Sequence, residues 1–190
     1  MRLFVGAFPP DDFRLALTAI VGQLRPLIKT ATWIRPEDYH LTVAFLGEVR
    51  EKDRASIEER LLQISLNFGP LNLRVCSLEL WRNEWDGWVA VVAFQKSAKF
   101  EKLRQEILLG LADLREPHAS DERGIMPHLT LFRVRSDPKG TLEDSLERLR
   151  MELRDFVFPV KILSLTQSTL SRSGSYSILR QLPLILGVSG

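Results

Sequence analysis

The sequence contains one short pattern twice, as His40-Leu41-Thr42-Val43 and as His128-Leu129-Thr130-Leu131. The two copies lie 88 positions apart and contain two of the three histidines of the chain. In a β-strand successive side chains point to opposite faces, so each histidine shares a face with the threonine two residues later. The aliphatic residues of each copy take the other face. Each copy therefore predicts a strand that presents an imidazole beside a hydroxyl.

Two such strands are typical of paired acid–base chemistry. A histidine side chain has an unperturbed pKa of about 6.5, so one imidazole can be neutral while a second is protonated. If His40 and His128 line one cleft, one can act as a general base and the other as a general acid in cleaving a phosphodiester. The hydroxyls of Thr42 and Thr130 can then donate hydrogen bonds to the non-bridging phosphate oxygens.

Arg133 is a further candidate for binding the phosphate, because it follows the second histidine by five positions. By strict alternation its side chain lies on the strand face opposite to that of His128. We therefore expect Arg133 to reach the cleft only through a β-bulge or at the end of the strand, and otherwise to be a solvated surface arginine.

Composition predicts a folded globular protein and does not identify a partner. The chain has 190 residues, 45% of them hydrophobic and 26% charged, with a formal charge of +2. Its single cysteine, Cys76, is expected to be a core residue and favours a reducing compartment. The apolar run near the N-terminus is too short for a signal peptide, and no segment is long enough to span a membrane. We expect a cytoplasmic protein that does not bind membranes.

Other chemistries are less well supported by the sequence. Cys76 and His118 do not complete a set of ligands at zinc-site spacing, so we expect neither a metal nor another cofactor. The sequence lacks a G-x-S-x-G elbow and a G-x-x-x-x-G-K-[ST] loop. Trp81, Trp85 and Trp88 surround a predicted hairpin turn, where they either pack the hairpin or stack on bases.

Hydrophobic periodicity and turn residues predict an alternating order of strands and helices. The predicted strands cover 2–8, 32–34, 41–46, 71–81, 88–94, 127–134, 156–170 and 176–184, and the predicted helices cover about 11–25, 51–64, 98–114 and 141–153. A polar loop is expected over 116–127. This order indicates an α+β or α/β sandwich in which helices cover the sheets.

The predicted elements also fall into two halves of the chain, and each half contains one His-x-Thr strand near a helix. We therefore expect a pseudo-duplicated architecture whose two sheets face each other across a central cleft. Because no linker rich in Pro, Gly or Ser separates the halves, residues 1–190 are predicted to form a single bilobal domain.

Beyond the paired motifs, the flanking residues resemble the two-histidine (2H) phosphoesterase superfamily, and in it the RNA 2′,3′-cyclic phosphodiesterases, also called 2′-5′ RNA ligases. The resemblance spans nearly the whole chain. It rests on Arg2-Leu3-Phe4-Val5, Trp33, Pro36-Glu37, the first motif, Phe45-Leu46-Gly47, Pro127 with the second motif, Arg133, and a tail that contains Leu163, Leu165, Ser168, Leu170, Gly174, Tyr176 and Leu179.

The resemblance implies an α+β fold with two antiparallel sheets facing the cleft and helices outside. It also implies metal-independent opening of a 2′,3′-cyclic phosphate at an RNA end to a 2′-phosphomonoester. We assign His128 as the base and His40 as the acid, and we expect a monomer. Two positions depart from the family: Val43 replaces a leucine on the rear face, and the bulky Phe132 stands where a small residue is common and could reshape the site.

Two alternatives stay open at this point. The first is a nucleotide-binding module of the same superfamily that does not turn over its ligand. The second is a ligase that joins 2′-5′ ends, which is the reverse reaction. Intact copies of both motifs favour hydrolysis.

Overall fold

The computed structural model describes residues 1–83, 87–116, 126–169 and 175–186. Four helices are assigned in these ranges: α1 Asp11–Leu24, α2 Arg54–Leu66, α3 Ala98–Gly110 and α4 Lys139–Leu153. The strands are β1 Arg2–Ala7, β2 Thr32–Trp33, β3 Leu41–Glu48, β4 Leu71–Asn83, β5 Gly87–Phe94, β6 His128–Val134, β7 Val157–Val160, β8 Ile162–Thr169 and β9 Ser175–Pro183.

The strands form one nine-stranded antiparallel sheet, in which β2 pairs with β6 outside the main strand order. The main order consists of two four-stranded halves, here termed sheets, that meet at one point. One sheet has the order β7-β4-β5-β6 and the other has the order β3-β1-β8-β9. Between them, β3 pairs with β6 only through Leu41 and Leu129. The chain also passes from β7 in one sheet to β8 in the other with one residue between them, so the two sheets curve toward each other. The predicted α+β class is confirmed, but the prediction of two sheets was wrong, because the pairing of β3 with β6 makes them halves of one sheet.

Helices pack on the rear face of the sheets. Ala93 lies opposite His128, so the next residue of β5, Phe94, points to the other face. There it contacts the ring of Phe13 from α1, with 6.2 Å between ring centroids, and Phe13 also packs on Phe158 of β7 at 5.4 Å. This aromatic contact buries the apolar stripe of α1 and leaves the opposite face of the sheet for the cleft.

The predicted order of elements is confirmed, with one break that the sequence did not predict. The strand predicted over 156–170 is two strands, β7 and β8, that pair with different neighbours, β4 and β1. Lys161 and Ile162 are both exposed at the junction, so the alternation of buried residues shifts by one position there. The predicted loop over 116–127 and the turns near 85 and 172 lie mostly outside the described residues.

The prediction for Cys76 was wrong, because this residue is exposed. Val75 lies opposite Phe94 and Ser77 lies opposite Ala93, so Cys76 is the extra residue of a β-bulge in β4. Leu71, Leu73 and Val75 are buried, so Cys76 is exposed by the alternation of the strand, and the bulge shifts the pattern only after it. Among the described helices, none combines the length and the apolar character needed to cross a membrane.

Candidate active site

The two motif strands line a single cleft of about 340 Å³ where the sheets meet. His40, Thr42, His128, Thr130 and Arg133 all line it, so the structure brings together every candidate site residue of the sequence. The other lining residues are Arg2, Leu3, Phe4, Ile34, Phe45, Ser168, Thr169 and Tyr176. No Asp or Glu is among these described residues, so the ionic side chains of the cleft are basic.

Both imidazoles are held by the backbone in the same way. Nδ1 of His40 lies 2.8 Å from the carbonyl oxygen of Asp38, and Nδ1 of His128 lies 3.0 Å from that of Met126. A carbonyl oxygen only accepts hydrogen bonds, so each Nδ1 carries the proton and donates. In the neutral imidazole Nε2 is then the nitrogen with the free lone pair, and it remains available to a ligand in the cleft.

The local structure before His40 explains how this bond forms. Pro36–Asp38 is a single 3-10 turn, and β3 begins directly after His40, at the predicted residue. The carboxylate of Asp38 is buried and accepts a hydrogen bond of 2.7 Å from Nε of Arg35. This ion pair fixes the turn whose carbonyl orients the imidazole of His40.

A β-bulge follows the threonine of each motif and changes which residues face the cleft. In β3, Thr42 lies opposite Gly6 and Ala44 lies opposite Val5, so Val43 is the extra residue. In β6, Thr130 lies opposite Val91 and Phe132 lies opposite Ala90, so Leu131 is the extra residue. Two consecutive buried residues follow each threonine as a result.

The bulge in β6 turns the side chain of Arg133 into the cleft, so the expectation of a bulge is confirmed. The equivalent residue of β3 is Phe45, which also lines the cleft. Phe132 does not line the cleft and is buried against Trp33, with ring centroids 4.5 Å apart. Val43 is buried, which agrees with the predicted rear-face position.

Burial lowers the pKa of both imidazoles. For His40 the loss of solvent is the largest cause, and the positive charges of His128 and Arg133 act in the same direction, while Asp38 opposes them. For His128 burial again dominates, the bond to the Met126 carbonyl raises the pKa, and Arg133 lowers it. The free site therefore favours neutral imidazoles, and an anion bound in the cleft would favour a protonated one.

Different aromatic residues pack against the two imidazoles. The ring of His40 is 4.8 Å from that of Phe4 and 4.7 Å from that of Tyr176, centroid to centroid. The ring of His128 instead lies 4.7 Å from that of Trp81, which packs behind it. The indole Nε1 of Trp81 donates a hydrogen bond of 2.5 Å to Glu79. Trp81 therefore packs the hairpin and orients His128, and it does not line the cleft.

Sequence reasoning assigned no role to several residues of the cleft, above all Arg2, Ser168, Thr169 and Tyr176. They reach the site from β1, β8 and β9, which join the motif strands through sheet pairing. Arg2, Ser168 and Tyr176 belonged to the family resemblance, and this was the one signal that could have indicated them. The third histidine, His118, lies outside the described residues. No group of three His, Cys, Asp or Glu side chains placed to hold a metal ion occurs in the described part of the chain.

Comparisons with known proteins agree with this architecture. The sequence model of the LigT like Phosphoesterase family matches residues 8–88. An RNA 2′,3′-cyclic phosphodiesterase of Archaeoglobus fulgidus is 28% identical over 171 residues, covering 86% of this chain and 93% of the relative. One from Geobacillus stearothermophilus is 21% identical over 96% of this chain, which spans only 57% of that longer relative.

Solved structures show the same fold over nearly the whole chain. TT0787 of Thermus thermophilus superimposes with a TM-score of 0.79 at 23% identity and covers 98% of this chain and 99% of its own. E. coli LigT complexed with 3′-AMP superimposes with a TM-score of 0.71 at 19% identity, over 96% of each chain.

The chain shares the fold of these solved structures, and the family model matches the part of the chain that contains the first motif. The family match over residues 8–88 and the relatives that align along the length of the chain show that this protein is similar to the LigT-like phosphoesterases.

Proposed function

We propose that this phosphoesterase opens 2′,3′-cyclic phosphates at RNA ends by hydrolysis, with His40 and His128 as the acid–base pair. The observation that carries the proposal is the equivalent anchoring of the two imidazoles, which leaves two Nε2 atoms available to one cleft. The names of the curated relatives support the substrate class. The complex of E. coli LigT with 3′-AMP further supports a nucleotide ligand.

The reaction requires two proton transfers. His128 takes a proton from water as its oxygen attacks the phosphorus, and the bond from phosphorus to the 3′ oxygen breaks. His40 gives its proton to that oxygen, so the products are a free 3′-hydroxyl and a 2′-phosphomonoester. Each transfer by a positioned imidazole contributes roughly 10²- to 10⁴-fold to the rate.

The other candidate residues stabilise charge rather than move protons. Thr42 and Thr130 share the faces of the histidines and donate hydrogen bonds to the non-bridging oxygens, where negative charge grows in the transition state. Arg133 supplies a permanent positive charge at the same place. Because these groups provide the base, the acid and the charge stabilisation, we propose that the reaction does not depend on a metal ion.

Hydrolysis of cytidine 2′,3′-cyclic phosphate in excess EDTA tests this function. Phosphorus NMR of the reaction mixture identifies the product, and we expect cytidine 2′-phosphate at an unchanged rate after chelation. Loss of turnover in EDTA that zinc or manganese restores would contradict metal independence. Tight binding of the nucleotide without turnover would instead favour a binding module, and a 3′-phosphate product would reverse the placement of the leaving group.

A further inference from the structure

The cleft contains a second arginine that the proposed acid–base chemistry does not use. Arg2 is exposed and lines the cleft from β1. No described residue forms an ion pair or a hydrogen bond with its guanidinium. Its cross-strand neighbour Glu48 places a carboxylate oxygen 3.5 Å from the N-terminal amine of Met1. The charge of Arg2 is therefore available to a ligand.

The position of Arg2 along β1 separates it from the histidines. Phe4 packs against the ring of His40, and Arg2 is two residues earlier on the same face of the strand. Two residues of a strand extend about 6.6 Å. Arg2 is thus displaced from the acid–base pair by a distance comparable to one nucleotide of an extended chain, while Arg133 lies beside the histidines.

Hydroxyl groups accompany Arg2 at this end of the cleft. Leu3 pairs with Gln167, so the ladder between β1 and β8 continues with Arg2 beside Ser168. Ser168 in turn lies opposite Tyr176 of β9, and both line the cleft. A guanidinium beside two hydroxyls provides the charge and the hydrogen-bond donors that a phosphate binds.

We infer that Arg2, with Ser168 and Tyr176, binds the phosphodiester immediately upstream of the cyclic phosphate, so that the protein prefers oligonucleotide ends over mononucleotides. This inference rests on the proposed function, because it takes the cyclic phosphate to lie between the histidines. The contact is to the backbone, so it favours a chain of any sequence. Because it forms equally with substrate and transition state, it acts on KM more than on kcat.

Three substrates that all end in a 2′,3′-cyclic phosphate test the inference: cytidine 2′,3′-cyclic phosphate, the dinucleotide CpC, and the same dinucleotide with an uncharged methylphosphonate linkage. We expect kcat/KM for the charged dinucleotide to exceed that for the methylphosphonate by about 10-fold, the order of one charge-assisted hydrogen bond. The difference should appear in KM. The methylphosphonate keeps the length and the bases, so it isolates the charge.

Arg2→Gln should abolish this difference and leave hydrolysis of the mononucleotide unchanged, while Arg2→Lys should retain part of it. Arg74→Gln is the matched control, because Arg74 is an exposed strand arginine outside the cleft. Equal kcat/KM for the two dinucleotides in the unsubstituted protein would overturn the inference, as would an equal loss on all three substrates in Arg2→Gln. In either case turnover of the mononucleotide leaves the proposed function intact, whereas its absence overturns that function and this inference together.

Discussion

The two motif segments, at β3 and β6, share a histidine, a threonine and a bulge at equivalent positions and differ in the side chain that follows the bulge. Each histidine donates Nδ1–H to the carbonyl two residues before it. After the bulge, however, β3 presents Phe45 and β6 presents Arg133. The duplicated histidines are the candidates for proton transfer. The residues that differ, Arg133 and Phe45, give the cleft a charged side and an apolar side. A substrate anion therefore meets a cleft that is not symmetric.

The largest expected effect tests the two histidines that the motif segments share. We expect His40→Ala and His128→Ala each to lower kcat by roughly 10²- to 10⁴-fold on a cyclic phosphate, because each removes one proton-transfer partner. His118→Ala is the control, since that histidine belongs to neither motif. Circular dichroism should show that the variants stay folded. A near-normal rate in either motif variant would exclude the two-histidine mechanism.

The next largest expected effect tests the difference between Arg133 in β6 and Phe45 in β3. Arg133→Gln should lower kcat/KM by about 10- to 100-fold, because it removes a hydrogen bond to a charged group. Phe45→Leu, the equivalent substitution in the other strand, should change kcat/KM by only a few-fold because it removes no charge. Steady-state kinetics with cytidine 2′,3′-cyclic phosphate measures both. If the two variants lose activity equally, the polarity of the cleft does not come from Arg133.

The threonines should again behave alike. Thr42→Ala and Thr130→Ala each remove one hydroxyl donor, and we expect each to raise the activation free energy by roughly 1 to 3 kcal/mol. Comparison of kcat/KM with the unsubstituted protein gives this value. An unchanged kcat/KM in both variants would show that these hydroxyls do not contact the phosphate.

The smallest effect concerns the pKa values of the two imidazoles in the free protein. The charge of Arg133 lowers the pKa of both His40 and His128. Its removal in Arg133→Gln should therefore raise both pKa values and move the bell-shaped profile of kcat/KM to higher pH. Titration of the imidazole C–H signals by proton NMR measures this directly, and Arg74→Gln serves as the control. A shift to lower pH would contradict the sign of the interaction.

The sequence predicted those features that depend on local pattern. Strand alternation and the repeated motif placed His40 and His128 beside their threonines. Strict alternation would put Arg133 on the face opposite to that of His128, so its reach into the cleft indicated a bulge. The exposed position of Cys76 follows the alternation of buried residues from Leu71 to Val75 and could have been predicted. The division of 156–170 could not be predicted, because it depends on a one-residue shift in strand register. Arg2 and Tyr176 were missed for a related reason: sheet pairing between distant segments brings them to the histidines.

The single pair that joins the two sheets, Leu41 with Leu129, also has a mechanical consequence. Each catalytic candidate is the residue immediately before its member of this pair, so both imidazoles lie next to the joint. Points farther from a hinge move through larger arcs when its two arms bend. Any bending of one sheet against the other therefore displaces the outer rim, where Arg2 lies, more than it changes the gap between the imidazoles.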